Sequence, residues 1–372
     1  MPILSEVVDL LHAWYPPATA ESWDAVGLVY GDPAAPVGKV MFAVDPTIEV
    51  AREAVDWGAD LLVVHHPLFL KPVHGFAATT PKGRTLATLA AGGCGLLSAH
   101  TNADQAEGGV SESLALALGL TGLEPIRPAT PAALDKLVVY VPHDQADDVR
   151  AAVSAAGGGS IGDYDHCSFT TTGEGRFRPL PGADPAIGSV GAFEVVAESR
   201  IEAVFPRARR AAVVAAMLAV HPYEVPAHDV MELADPGLSP SGTGRVGCVE
   251  ETTVADFAVT VAQALPATAH GVRVGGDPDR VVRRVAVCGG AGDFLLDELA
   301  GSDVDVFVTS DLRHHPASEF LEKDGPALLD IAHWAGEWTW LPVVEARVRE
   351  AWGATVETRV STLPTDPWTI RI

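Results

Sequence analysis

The chain has 372 residues, 48% of them hydrophobic and 20% charged, a length and balance that suit two or three globular domains rather than one. Lys and Arg number 25 against 49 Asp and Glu, a formal charge of −24. A surface this acidic repels phosphate backbones and anionic lipid, which argues against nucleic acid and membrane as partners. The apolar stretch from Ala211 to Val220 is about half the length a bilayer span needs. Four cysteines (Cys94, Cys167, Cys248 and Cys288) lie far apart with no C-x-x-C spacing, which predicts reduced, mostly buried thiols and a cytoplasmic location.

The opening MPILSEVVDLLHAWY lacks a basic region followed by an apolar core and cleavage site, and its pattern predicts a first amphipathic helix over 4–14. A β-rich run follows at Lys39 to Val44, then a helical stretch from Ile48 to Trp57 and the apolar run Leu61 to Val64. A second helical stretch, Lys82 to Ala91, leads into Gly95 to Ala99. This alternation predicts an α/β layer around a buried, largely parallel sheet. The Pro/Thr-rich segment IRPATP at 126–131 ends the unit. Beyond it come a strand over Lys136 to Val141, a helix over Gln145 to Ala155 and a glycine cluster at Gly157 to Gly159. Several strand-like segments, an Ala/Val-rich helix over Arg207 to Val220 and a short strand near Val230 complete a β-α-β…β-α-β order that suits a ferredoxin-like α+β domain. The linker ADPGLSPSGTG, Ala234 to Gly244, returns the chain to α/β alternation. Strands are expected at Val285 to Cys288, Val304 to Thr309 and Ala327 to Asp330, then a helix over about Trp338 to Trp352 and a short closing strand.

Five side chains in three distant segments have the chemistry of ligands for hard-to-borderline metal ions. His65 and His66 stand side by side in VVHHPLF, Asp104 lies in SAHTNAD, and His333 and Glu337 are four residues apart in IAHWAGEW. An i, i+4 pair shares one face of a helical turn. Adjacent strand residues point to opposite faces, so tandem histidines serve one site only where a strand ends and the backbone turns. Both upstream segments directly follow predicted strands, at the carboxyl ends where open α/β sheets place their sites. Five donors are too many for one tetrahedral ion and too few for two closed shells, which suits a pair of metals with open positions. Three imidazoles among them argue for Zn²⁺, Fe²⁺ or Mn²⁺ rather than Mg²⁺ or Ca²⁺. Each motif alone also has a plainer reading: a surface His–Glu pair, a structural histidine pair, or Asn and Asp capping the helix that begins near Val110.

The ligands come from the first and last thirds, with none between. A discontinuous two-part α/β core, 1–128 and 242–372, with an α+β domain inserted over 132–234, explains that distribution. The tripeptide His-His-Pro recurs at His314-His315-Pro316, too short a match to establish a duplication.

The runs LLVVHHPLF, SAHTNADQAEGGV, VCGGAGDFL, DVFVTSDLRHH and DIAHWAGEW, in this order, resemble the GTP cyclohydrolase I type 2 homologues, also called Nif-three-like dinuclear metal-centre proteins. The middle run IGDYDHCSF to HPYEVPAHDV resembles the CutA/PII-like domain inserted in their longer members. The resemblance implies that His65, His66, Asp104, His333 and Glu337 hold two divalent ions per subunit, with Glu337 bridging. It also implies a toroidal homohexamer, a small-molecule substrate and ring-opening hydrolysis of GTP by metal-activated water. The chain departs from the family pattern at Ala25, Ser310, His314 and Val225, none of them a ligand.

His100 and His315 are the imidazoles available for orienting ligands or moving protons. Asp311 could orient an imidazole or cap a following helix. Arg313, Lys71 and the turn Gly157 to Ser160 are anion-binding candidates, and no G-x-x-x-x-G-K-[ST] loop is present. No substrate-binding residue is assigned from sequence. Two functions stay open: a metal-dependent hydrolase, and a non-catalytic metal-binding or regulatory protein whose insert senses a small ligand.

Overall fold

The structure is a computed structural model that describes every residue except Pro131, Ala132, Asp163, Asp235, Pro236, Leu238 and Asp324. The expected insert boundary at residue 132, and positions 235, 236 and 238 of the expected linker, therefore lie outside the described residues. The chain divides into two compact units, one of Met1–Ala129 with Ser239–Ile372 and one of Thr130–Leu238.

The larger unit holds two large sheets and a two-stranded one, Arg127–Pro128 paired antiparallel with Gly242–Thr243. The first runs, edge to edge, Gly27–Tyr30, Gly95–Ser98, Leu61–Val64, Lys39–Ala43 and Glu357–Val360. Its last four strands are mutually parallel and only Gly27–Tyr30 is antiparallel to its neighbour. Leu61–Val64 and Gly95–Ser98 are buried at every position, as an unbroken apolar run requires when both sheet faces are covered. Their alternate side chains feed separate cores. Phe42, Leu61, Val63 and Leu97 pack with Leu4, Val7 and Leu11 of the helix Leu4–Trp14 and with Trp340, Leu341 and Val344 of Trp340–Trp352. Met41, Leu62, Val64 and Leu96 pack with Val50, Ala54, Leu86 and Leu89 of Ile48–Trp57 and Pro81–Ala91. Ile48–Trp57 starts where the Thr47 hydroxyl accepts the Val50 N–H and stops at Gly58, φ +77.

The second sheet orders Val272–Gly275, Ala327–Ile331, Val306–Ser310, Val281–Ala291, Arg245–Thr253 and Thr121–Glu124. Its three middle strands beginning at Ala327, Val306 and Val281 are parallel, and the remaining pairings are antiparallel. Each sheet takes one strand from the far part of the chain. Thr121–Glu124 edges the second sheet and Glu357–Val360 edges the first.

The smaller unit runs strand Leu134–Pro142, helix Ala146–Ala155, strands Phe169–Phe177 and Glu194–Pro206, helix Arg210–Val220 and strand His228–Glu232. Its sheet orders these strands fourth, first, third, second, with antiparallel pairing throughout. Both helices pack on one face, where Val149, Val153, Val213 and Met217 meet Leu137, Val139, Ile201 and Phe205.

Several local expectations need correction. The helix expected over about Trp338 to Trp352 runs Trp340–Trp352, after a short helix His333–Trp338, while Arg207 to Arg209, expected within the helix to Val220, form a 3₁₀ turn ahead of Arg210–Val220. The several strand-like segments of the middle domain are two long strands. Asn102 and Asp104 do not cap the helix Val110–Ala117, whose N-cap is Gly109; they lie inside the short helix Thr101–Gln105. Of the thiols, Cys94 and Cys288 are buried, Cys167 is half-buried and Cys248 is exposed, all free. Among the described residues no helix is long and apolar enough to cross a membrane.

Candidate metal centre

Three strand ends of the larger unit converge on one cluster. His65 and His66 follow Leu61–Val64 directly, where the chain leaves the sheet and both backbone N–H groups are donated to Val44. His100 and Asp104 follow Gly95–Ser98. His333 opens the short helix after Ala327–Ile331, and Glu337 lies one turn on. His65 Nε2 is 3.5 Å from Asp104 Oδ1 and 3.4 Å from Glu337 Oε1. His66 Nε2 is 3.1 Å from Glu337 Oε2, and His333 Nε2 is 2.8 Å from Glu337 Oε1. The five residues named from sequence thus meet around one buried carboxylate, Glu337, which is 2% exposed.

Each of these imidazoles is gripped from behind at Nδ1. His65 Nδ1 lies 2.9 Å from the Ala99 carbonyl, His66 Nδ1 2.7 Å from Asp45 and His333 Nδ1 2.7 Å from Asp311. An acceptor at Nδ1 fixes the tautomer of the neutral ring, so that each imidazole, once deprotonated, presents the lone pair of Nε2 to the cluster; this is the arrangement of metal-ligating histidines. His65 Nε2, Asp104 Oδ1 and Glu337 Oε2 are buried and make no hydrogen bond. Three such atoms in one small volume carry a desolvation cost that a bound cation would relieve. His66, His333 and Glu337 place ligand atoms within 4.8 Å of one another, and so do His65, His66 and His100. The cluster is therefore a group of buried and half-buried His, Asp and Glu that can bind a metal ion.

The electrostatics agree. Burial disfavours a charged His333, but Glu337 and then Asp311 outweigh it and raise the group to about 10. His66 is likewise raised well above its ordinary value against its own burial, by Glu337 and Asp45. Burial pushes the Glu337 carboxyl upwards, yet His66, His333 and His65 together hold it well below the carboxylate range. Burial takes Asp104 up to about 6, with His65 opposing and Glu337 reinforcing the shift. Burial and then His65 take His100 down to about 4. The carboxylates thus draw positive charge into the cluster, as protons on imidazole or as a cation in their place.

A cavity of about 520 Å³ opens on the cluster, lined by Asp104, His333 and Glu337 together with Trp23, Arg127 and Phe294. Trp23 and Phe294 are more than half exposed. The Arg127 guanidinium stacks on Phe294 at 6.0 Å and pairs with Glu298. Gly290, φ +68, floors the cavity, and a Cβ there would stand 3.0 Å from Glu337 Oε1. A separate cavity of about 610 Å³ lies within the smaller unit, where Tyr140, Phe177, Arg200 and Tyr223 surround the buried Glu198, whose Oε1 accepts from the Tyr223 hydroxyl.

The other candidates fall elsewhere. His315 is exposed in the first turn of His314–Leu321 with its ring edge-on to His314, and no described contact joins it to the cluster. Arg313 is paired with Asp293, Lys71 is exposed, and Gly157 to Gly159 form a turn tied to Val204. Asp311 orients His333, while the N-cap of the following helix is Arg313. Asp24 and Asp45 escape the sequence reading. Asp45 carries the strand-end signature used for the histidines, since it lies two residues past Lys39–Ala43; Asp24 has no such signal.

Comparison with known proteins places this geometry in a family. Residues 2–367 match the Duf34/NIF3 (NGG1p interacting factor 3) family. A Mycobacterium tuberculosis protein named GTP cyclohydrolase 1 type 2 homolog is 50% identical over 369 residues, covering 99% of this chain and 97% of its own. A Bacillus subtilis protein of the same name is 38% identical, covering 89% and 88%. The crystal structure of a Bacillus cereus protein related to NIF3 superposes with a TM-score of 0.79 at 35% identity, covering 99% of this chain and 98% of that one. Sequence and fold together establish that the chain belongs to the Duf34/NIF3 family.

Proposed function

We propose that the chain is a metal-dependent hydrolase whose cluster holds two divalent ions, Zn²⁺, Fe²⁺ or Mn²⁺. The observation that carries this reading is the set of three buried atoms without hydrogen bonds, His65 Nε2, Asp104 Oδ1 and Glu337 Oε2, facing a cavity of about 520 Å³. His66, His333 and Glu337 would hold one ion, and His65, Asp104 and Glu337 the other, with Glu337 bridging. Two such ions supply Lewis-acid activation of water and polarisation of the bond under attack. The chain's own residues do the remainder. Asp45, Asp311 and the Ala99 carbonyl hold the imidazoles in the ligating tautomer. Gly290 leaves room beside Glu337, and the exposed faces of Trp23 and Phe294 offer walls for a flat substrate.

The substrate class we assign is a small molecule with a planar heterocycle, such as a nucleotide, and GTP is the first compound to test. The relatives' name supports that choice, as do the two aromatic walls. We further propose a cytoplasmic homohexamer in which the smaller unit is a ferredoxin-like domain of the CutA/PII type. Its β-α-β-β-α-β order and fourth-first-third-second sheet support that assignment. A second reading, a non-catalytic regulatory protein, is favoured by the separate cavity around Glu198 and Tyr223. A metabolite screen on the Zn²⁺-, Mn²⁺- or Fe²⁺-loaded full-length chain, with Glu337→Ala as control, separates the two. Turnover lost in the variant supports the hydrolase, and binding without turnover across the panel supports the regulator.

A further inference from the structure

We propose that His100 is a sixth protein ligand of the metal centre and that Asp24 is the residue that positions it. The inference rests on the dinuclear reading above. The ring of His100 lies 5.0 Å from that of His65 and 5.4 Å from that of His66, and one nitrogen of each lies within 4.8 Å of the others. Its Nδ1 is 2.8 Å from Asp24 Oδ1, so His100 repeats the back-side grip that Asp45 gives His66 and Asp311 gives His333. With Nδ1 engaged, Nε2 is its free ligand atom.

Asp24 is built for this purpose. Its side chain is fully buried, and the other oxygen, Oδ2, accepts from both the backbone N–H and the hydroxyl of Thr101, the residue after His100. Oδ1 also accepts from the Ala25 N–H. Trp23 stands edge-on to the His100 ring at 5.9 Å and closes its outer side. A histidine serving only as a cavity wall needs none of these restraints. A sixth donor also suits the ion bound by His65, Asp104 and the shared Glu337, which otherwise has fewer protein nitrogens than its partner.

The test is proton NMR of the Co²⁺-loaded full-length chain. A ligating imidazole whose Nδ1–H is hydrogen-bonded gives one exchangeable, strongly shifted resonance. Four are expected in the wild type, from His65, His66, His100 and His333, and three in His100→Gln. In Asp24→Asn, Co²⁺ affinity falls about 10- to 100-fold, with the His100 proton exchanging faster while the other three are retained. Three resonances in the Co²⁺-bound wild type, unchanged in His100→Gln, overturn the assignment and leave the two-metal reading standing. A wild-type chain that binds no Co²⁺ at saturation overturns both. Should His100→Gln fail to fold, Asp24→Asn decides: unchanged affinity and unchanged proton exchange also overturn the proposal.

Discussion

The carboxylate of Asp311 lies 2.7 Å from Nδ1 of His333, and Asp311 reaches it from a left-handed backbone, φ +58. Few residues adopt that conformation without cost, but Asp and Asn do so readily. Asp311→Asn therefore keeps the backbone and removes the charge that orients His333. Metal affinity is expected to fall about 10- to 100-fold with the fold intact. Competition against a chromophoric chelator, alongside circular dichroism, checks both halves of that statement.

Metal binding must displace protons. Glu337 and Asp311 raise His333 to about 10, Glu337 and Asp45 raise His66 well above its ordinary value, and burial takes Asp104 up to about 6, so all three hold a proton more tightly than free side chains do. Raising the pH removes these competitors, so affinity for Zn²⁺ climbs from pH 6 to pH 9 and protons are released on binding. Calorimetry in buffers of different ionisation enthalpy measures that release. Affinity that is flat or falling over this range would count against the protonation described.

Gly290 combines a left-handed φ of +68 with a Cβ position 3.0 Å from Glu337 Oε1. Gly290→Ala is expected to lose about 1–2 kcal/mol of stability from its backbone and to weaken metal binding by displacing Glu337. Gly93 has nearly the same φ, +70, with nothing near its Cβ position. Gly93→Ala should bear a similar stability loss and leave metal affinity unchanged. Equal metal affinities in the two variants would contradict the close approach at Gly290.

Arg245 is 1% exposed and donates to the carbonyls of Gly242, Gly244 and Ala106 and to Glu112. It ties the segment just past Asp104 to the helix Val110–Ala117 and to the strand Arg245–Thr253. Arg245→Met leaves three buried acceptors and a carboxylate without their donor. The expected loss is on the order of 3 kcal/mol, read from the denaturation midpoint of the ion-free chain.

Much of the site was legible because its signals are local. Leu61 to Val64 is a buried-strand run, and the histidines at its end needed only the strand-end rule to be placed at a site. His333 and Glu337 needed only helical spacing. The partners that orient the rings were less visible. Asp24 and His100 are 76 residues apart, as Asp45 and His66 are 21, and nothing near Asp24 marks which imidazole it will meet. The sheets were legible strand by strand but not as sheets. Pairing Glu357–Val360 with Lys39–Ala43 is set by tertiary packing more than 300 residues along the chain, which periodicity does not record. His315 was misplaced for the same reason. It shares a His-His-Pro run with His65 and His66, but its strand is followed by three intervening residues and a helix start, and it lies exposed at the surface.

The central claim is a two-metal cluster built on Glu337, and metal stoichiometry tests it most directly. The full-length chain, loaded to saturation with Zn²⁺ and freed of excess, is assayed by inductively coupled plasma mass spectrometry against protein concentration. Two ions per chain are predicted for the wild type and fewer than one for Glu337→Ala. One ion or none in the wild type, or two in the variant, would contradict the account.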